Sequence, residues 1–158
     1  MPLKLLFVCY ASICRSPMAA GLMRHNAKIY NLDWEIKAAG VSAEYKDSHP
    51  HPSAVKCMRK HGVDITTFSS TLLTREDILK YDIIYAMDGV IYASIYLHTH
   101  TPEEKKKIKL MMSEVYPDRD VDIFDPYHGG ESGYSYVYEM IDQATDKIIE
   151  HYKDKTAL

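Results

Sequence analysis

The sequence lacks several features that mark special classes of protein. Its 158 residues contain only three cysteines, which are too few for the disulfide scaffold of a small secreted domain. No apolar stretch is long enough to cross a membrane, and the apolar run at residues 3–8 is too short for a signal sequence. We therefore expect no secretion, no membrane partner and a location in the reducing cytoplasm.

The chain also lacks a large excess of positive or negative charge. The net charge is -3 and the sequence pI is about 6.2, with basic residues dispersed among acidic ones. This pattern argues against nucleic acid as the main partner. Histidines 49, 51, 98 and 100 lack the spacing of a zinc site, so we expect no metal. The length predicts one domain with one core, over residues 1–158.

Short apolar runs alternate with helical patterns along the chain. Because this alternation is typical of α/β proteins, we expect a small doubly wound, four-stranded parallel sheet with helices on both faces. Ligands of such sheets bind beyond the carboxyl ends of the strands, where Cys9 falls. The predicted strands include residues 3–8, 34–38 and 81–87, and the predicted helices begin at the cap Ser16-Pro17, at Ser53, after Thr74 and at about Tyr134.

The segment between the first strand and the first helix carries the candidate chemistry. A tight loop here directs backbone N–H groups inward as an anion site, and the helix N-terminus adds positive potential. Arg15 can donate two N–H bonds to a phosphate, and the same field is expected to lower the pKa of Cys9 and make it a nucleophile. Ser16 can donate to its sulfur. The predicted phosphate-binding loop is Cys9-Tyr10-Ala11-Ser12-Ile13-Cys14-Arg15-Ser16.

An aryl phosphate ester also needs an acid to protonate its leaving oxygen. Asp125 is the best candidate because Asp125-Pro126 predicts a fixed turn in a loop beside aromatic residues. Partial burial is expected to raise the pKa of its carboxyl group. Spacing alone leaves open that Asp125 is a solvated loop residue, like Asp118, Asp120 and Asp122.

The sequence resembles the low-molecular-weight protein tyrosine phosphatases over nearly its whole length. The family patterns are V-C-x-G-N-I-C-R-S-P-M-A near the N-terminus and D-P-Y near the C-terminus. The first is matched at Val8, Cys9 and residues 13–19, and the second at residues 125–127. The resemblance implies that Cys9 attacks phosphorus, that Arg15 binds the phosphoryl group, and that Asp125 is the general acid and then the base.

The expected substrates are phosphotyrosine proteins or peptides, and acid phosphatase activity is an added expectation. Inorganic phosphate and other oxyanions are expected to inhibit competitively. We expect no cofactor, and a monomer or weak dimer. Two other readings stay open: an arsenate reductase of the same fold, which needs a further cysteine pair where only Cys57 remains, and a module that binds phosphotyrosine without turnover.

Departures from the family pattern concern the middle of the loop and the pocket rim. Ala11-Ser12 replaces Gly-Asn, and in the family that asparagine is left-handed and hydrogen-bonded by a serine and a histidine; Ser42 and His61 resemble those partners. Serine there predicts roughly 1 kcal/mol of strain and weaker loop order. At the rim, Tyr10 and Tyr127 are expected to hold a phenol ring, Tyr45 is expected to pack, and His128 replaces a second tyrosine.

The remaining cysteines receive two different interpretations. Family members with a cysteine pair in this loop can form a reversible disulfide, so Cys9–Cys14 is a hypothesis here. The alternative is that Cys14 is a small buried residue. Cys57, within a predicted helix, is expected to be structural.

Overall fold

The computed structural model describes residues 2–155 and has a parallel sheet at its centre. The spatial order is β2-β1-β3-β4, so the chain runs outward in both directions from β1. The predicted α/β class and the four-stranded sheet are confirmed. The strands are β1 Lys4–Cys9, β2 Glu35–Gly40, β3 Ile83–Ala86 and β4 Ile108–Leu110.

Helices cover both faces of this sheet. Leu5 and Phe7 point to one face, where they pack with the first, second and last helices, and Leu6 and Val8 point to the other. This alternation within a buried strand confirms the doubly wound arrangement. The helices are α1 Arg15–Ile29, α2 Pro52–Lys60, α3 Arg75–Lys80, α4 Gly89–Tyr96, α5 Pro102–Lys105 and α6 Gly130–Tyr152, with a 3-10 helix at Met111–Glu114.

The predicted start of the first helix was wrong. Helix α1 begins at Arg15 with Cys14 as its N-cap, and no side chain caps it. Ser16 is therefore the second helical residue, and its hydroxyl group turns back into the loop that precedes the helix. By contrast, Thr74 caps α3 in a reciprocal capping box with Asp77, as its position predicted.

The central position of β1 sets the location of the candidate site. Its neighbours β2 and β3 lie on opposite sides, and the chain leaves β1 toward β2 but leaves the adjacent strand β3 toward β4, at the other edge. A crevice therefore opens beyond Cys9 at the carboxyl end of the sheet. Within residues 2–155, no helix is both long and apolar enough to cross a membrane.

Candidate active site

The loop between β1 and α1 is held by hydrogen bonds from other segments of the chain. The Ser70 hydroxyl donates to the carbonyl oxygen of Ala11 at 2.6 Å. The backbone N–H of His51 donates to the carbonyl oxygen of Ile13 at 2.8 Å. The backbone N–H of Ser42 donates to the carbonyl of Tyr10 at 2.9 Å. These bonds use the outward carbonyls of the loop and fix its closed shape.

Gly40 at the end of β2 lets the loop pass close to the sheet. A Cβ atom at Gly40 would lie 2.8 Å from the Tyr10 oxygen, 2.9 Å from the Ala11 carbonyl carbon and 3.0 Å from the Ser12 nitrogen. All three contacts are with backbone, which cannot yield as a flexible side-chain end can. The closed shape of the loop therefore depends on the absence of a side chain at this position.

Three small polar side chains of the loop form a buried, hydrogen-bonded row. Cys9 Sγ lies 3.2 Å from Ser16 Oγ, and the Ser16 hydroxyl donates to Ser12 Oγ at 3.1 Å. Their exposed fractions are 3%, 0% and 1%. Ser12 has φ of 57°, which is the left-handed backbone we expected.

The expected side-chain support from Ser42 and His61 was wrong. Ser42 Oγ accepts from the backbone N–H of Glu44 at 3.1 Å, so this serine supports the loop through its own backbone only. The His61 ring stacks on Tyr138 of α6, with ring centroids 3.6 Å apart. The Ser12 side chain is shorter than that of asparagine, and its hydroxyl group is hydrogen-bonded by the nearby Ser16 instead of by Ser42 or His61.

Arg15 is buried and held in one orientation. Its Nη1 donates to Asp88 Oδ2 at 2.6 Å and to the carbonyl of Ile123 at 2.8 Å, and its side chain is only 3% exposed. Both bonds use the same nitrogen, and Arg15 also lines the cavity beside Cys9. The remaining guanidinium donors can therefore meet an anion in the cavity.

A cavity of about 260 Å³ opens above the loop. Asp125 also lines it, and its Oδ1 accepts from the backbone N–H of Tyr127 at 3.1 Å. The expected partial burial of Asp125 was wrong, because the residue is exposed in a surface turn. The lining residues are Cys9, Tyr10, Ala11, Ile13, Cys14, Arg15, Glu44, Tyr45, Asp125, Tyr127 and His128.

We use two names for parts of this site. The floor comprises the buried side chains Cys9, Ser12, Arg15 and Ser16, and the rim comprises Tyr10, Glu44, Tyr45, Tyr127 and His128.

The rim is made of aromatic and polar side chains from three loops. The Tyr10 hydroxyl donates to Glu44 Oε2 at 3.3 Å, and the hydroxyls of Tyr45 and Tyr127 are 3.5 Å apart. Tyr45, which we expected only to pack, also lines the cavity. Its hydrogen bond to Tyr127 raises the pKa of Tyr45 to about 12, with help from nearby negative charge that includes Glu44. His128 meets the Tyr127 ring edge-on at 4.7 Å.

The two other cysteines both contact Tyr134 of α6. The Tyr134 hydroxyl lies 3.2 Å from Cys14 Sγ, and Cys57 Sγ donates to the Tyr134 carbonyl at 3.6 Å. Burial raises the pKa of the Cys14 thiol to about 12. All three cysteines are free thiols and buried. Among residues 2–155, no group of three histidine, cysteine or acidic side chains is arranged to hold a metal ion.

The sequence interpretation missed two residues that hold the site together. Asp88 lies two residues beyond the end of β3, which is next to β1 in the sheet, so the rule that ligands lie at strand ends could have found it. Ser70 lies in a loop remote from Cys9, and no pattern marks its contact with Ala11.

Three comparisons place this geometry among known proteins. The family described as low molecular weight phosphotyrosine protein phosphatase matches residues 4–158. A low molecular weight phosphotyrosine protein phosphatase of Sus scrofa is 33% identical over 140 residues, which cover 87% of each chain. The crystal structure of an Entamoeba histolytica protein tyrosine phosphatase is 26% identical with a TM-score of 0.90, covering 96% of this chain and 97% of that one.

A further solved structure that resembles the chain is that of a phosphatase named for a different phosphorylated residue. It is a Drosophila arginine phosphatase, 29% identical, with a TM-score of 0.89 over 96% of this chain and 99% of that one. Relatives of this fold therefore include enzymes described for two kinds of phosphorylated side chain.

Proposed function

The chain belongs to the low molecular weight phosphotyrosine protein phosphatases, a class of protein tyrosine phosphatase, and we propose that it hydrolyses phosphotyrosine through a phosphocysteine intermediate on Cys9. The observation that carries the proposal is the cavity itself, in which Cys9 and Arg15 of the phosphate-binding loop meet Asp125 from a remote segment. Residues 1–158 are proposed to form one phosphatase domain. Phosphotyrosine proteins or peptides are the proposed substrates, and inorganic phosphate is a proposed competitive inhibitor.

The floor is suited to hold a phosphoryl group. Backbone N–H groups of a loop that ends in a helix N-terminus attract a dianion, and Arg15 adds a fixed positive charge. Because Asp88 and Ile123 already orient Arg15, little conformational entropy is lost when the guanidinium binds phosphate oxygens. The same groups stabilise the charge of the transition state.

Two displacements at phosphorus complete the proposed reaction. In the first, Cys9 Sγ forms a bond to phosphorus as the bond from phosphorus to the tyrosine oxygen breaks, and the Asp125 carboxyl group gives its proton to that oxygen. In the second, the Asp125 carboxylate takes a proton from water, whose oxygen attacks phosphorus. The S–P bond then breaks and Cys9 thiolate and inorganic phosphate are released.

The rim supports an aryl leaving group. Tyr10, Tyr45 and Tyr127 line the mouth of the cavity, and aromatic faces favour a phenol ring over a flexible aliphatic chain. A bound ring would also cover the exposed Asp125 carboxyl group and exclude water around it. For these reasons we propose phosphotyrosine, and not phosphoarginine, as the preferred substrate.

Hydrolysis of an aryl phosphate tests the proposal. Wild type, Cys9→Ser and Asp125→Ala are assayed together, with a phosphoarginine peptide and arsenate as parallel substrates. We expect turnover of the aryl phosphate by wild type, a large loss in Cys9→Ser and a smaller loss in Asp125→Ala. Absence of aryl phosphatase activity in wild type, or faster turnover of phosphoarginine or arsenate, would contradict the proposal.

We also propose that Cys14 can protect Cys9 from overoxidation. Cys9 sulfenic acid and the Cys14 thiol would form a disulfide and release water. Because burial raises the pKa of Cys14 to about 12, the thiol form predominates below that pH, and bridge formation should accelerate as the pH rises. Mass spectrometry after mild peroxide checks this; sulfonic acid on Cys9 without a bridge at any pH would contradict it.

A further inference from the structure

One charged residue of the rim has no part in the proposed chemistry. Arg15, Asp125 and Glu44 line the cavity, in addition to the histidine of the rim. Arg15 is buried at the floor beside Asp88, and Asp125 is the proposed proton donor. Among residues 2–155, Glu44 is therefore the acidic side chain of the cavity lining that takes no part in the proposed reaction.

Glu44 is held at the mouth of the cavity and faces solvent. It lies in the exposed loop that follows β2, and its carboxylate accepts a hydrogen bond from the Tyr10 hydroxyl at 3.3 Å. That bond links the β2 loop to the phosphate-binding loop across the entrance. In the part of the chain that the structure describes, no lysine or arginine side chain forms an ion pair with Glu44.

The field of this carboxylate reaches the neighbouring rim residue. Negative charge on Glu44 is one of the causes that raise the pKa of Tyr45, after the hydrogen bond and the charge of Tyr127. Glu44 is thus close to both Tyr10 and Tyr45, which the ring of a bound phosphotyrosine would have to pass. A substrate side chain at the entrance would meet the same field.

We propose that Glu44 makes the entrance select phosphotyrosines that have lysine or arginine next to them in the substrate chain, and disfavour those with acidic neighbours. The inference rests on the proposed phosphatase function. The phosphoryl group is common to all substrates, so the floor cannot distinguish them. Consecutive Cα atoms are only about 3.8 Å apart, so the residues beside an inserted phosphotyrosine lie at the entrance, where Glu44 is.

The expected preference is modest because the pair is exposed. An exposed ion pair is worth at most about a fivefold change in affinity, and replacing attraction by repulsion adds to the difference. We therefore expect a ratio of about tenfold between basic and acidic substrates at low ionic strength. Salt should reduce this ratio, since exposed charges are screened.

Matched phosphopeptides test the selection. Three peptides of equal length place arginine, alanine or glutamate on both sides of phosphotyrosine, and kcat/KM is measured for wild type, Glu44→Gln and Glu44→Arg. Wild type should prefer arginine over glutamate about tenfold, Glu44→Gln should bring the ratio close to one, and Glu44→Arg should invert it. Ratios within each enzyme cancel any change in its intrinsic rate.

Two further variants identify the source of the charge effect. Glu103→Gln removes an exposed carboxylate from α5, which leads into the start of β4 at the opposite edge of the sheet, and should keep the wild-type ratio. His128→Gln removes the other polar rim side chain that can carry charge. Loss of the preference in His128→Gln but not in Glu44→Gln would overturn the assignment to Glu44.

The outcomes separate this inference from the function on which it rests. If wild type fails to hydrolyse phenyl phosphate, the proposed function fails. If it hydrolyses phenyl phosphate but shows equal peptide ratios in wild type and Glu44→Gln, the function stands and the charge selection is wrong. A preference that is unchanged at about 0.5 M salt, where exposed charges are strongly screened, would also overturn it.

Discussion

The floor and the rim of the cavity are held in different ways. Floor side chains are at most 3% exposed and are joined by hydrogen bonds to one another or to Asp88. Rim side chains are more exposed, with Tyr10 at 47%, and their mutual bonds are long, at 3.3 and 3.5 Å. A rigid floor fits a phosphoryl group of constant shape, whereas a looser rim can accommodate varied chains around the tyrosine.

This comparison predicts that floor substitutions reduce turnover, while rim substitutions mainly change substrate binding. The charge selection proposed for Glu44 is one example at the rim.

Arg15→Lys should have the largest effect. Lysine retains the charge but loses the planar fork that can bind Asp88 and phosphate together, so kcat/KM should fall by about 10²- to 10³-fold. Steady-state kinetics with phenyl phosphate and inhibition by inorganic phosphate measure the loss. Arg59→Lys, on the exposed surface of α2, is the control and should behave as wild type. Wild-type inhibition by phosphate in Arg15→Lys would contradict the role of the fork.

Gly40→Ala should follow in size, although residue 40 contacts no substrate. The new Cβ would meet loop backbone at 2.8 to 3.0 Å, so the loop must shift and kcat should fall at least about tenfold. Gly133→Ala is the matched control, since its Cβ would lie 3.9 Å from Phe124, an ordinary contact distance. Circular dichroism confirms folding. Equal activity in the two variants would show that the loop tolerates displacement.

Tyr127→Ala changes the rim and should raise KM more than it lowers kcat. Loss of one aromatic wall costs about 0.5 to 1.5 kcal/mol, or about 2- to 12-fold in KM. Tyr30→Ala, at the exposed end of α1, removes a tyrosine remote from the site and should leave KM unchanged. A fall in kcat with constant KM would show that Tyr127 acts like a floor residue. It would contradict the distinction between a floor that sets turnover and a rim that sets substrate binding.

Much of the fold could be predicted from the sequence because its main elements have strong local signals. The apolar run at residues 3–8, the capping box at Thr74 and the apolar face of α6 each follow from local patterns. The three-residue strand β4 has no such signal. Its formation depends on pairing with β3, which no local pattern describes.

The candidate site divides in the same manner. Cys9, Arg15 and Asp125 could be named because motif, strand end and turn chemistry agree, and the structure brings them to one cavity. The partners of Ser12 could not, since Ser42 and His61 were chosen by resemblance and the shorter serine side chain bonds to Ser16 instead. Contacts such as Ser70 with Ala11 join residues 59 positions apart and depend on the folded chain.

Ser12 lies within the floor but should have the smallest effect, which sharpens the comparison. In the structure Ser16 donates to Ser12, so Ser16 must reorient before it can donate to the Cys9 thiolate. If the Ser12 hydroxyl then donates to Ser16 Oγ, it holds Ser16 toward the sulfur. Ser12→Gly removes the hydroxyl but permits positive φ, whereas Ser12→Asn permits the same backbone and restores a donor.

The two variants therefore separate hydrogen bonding from backbone strain. Alkylation of Cys9 by iodoacetamide at pH 6 should slow about threefold in Ser12→Gly, since each such hydrogen bond contributes about 0.5 to 1.5 kcal/mol, and recover in Ser12→Asn. Ser16→Ala should slow alkylation as well, and adding Ser12→Gly to it should have little further effect if Ser12 acts through Ser16. Additive losses would mean that Ser12 contributes only through the shape of the loop.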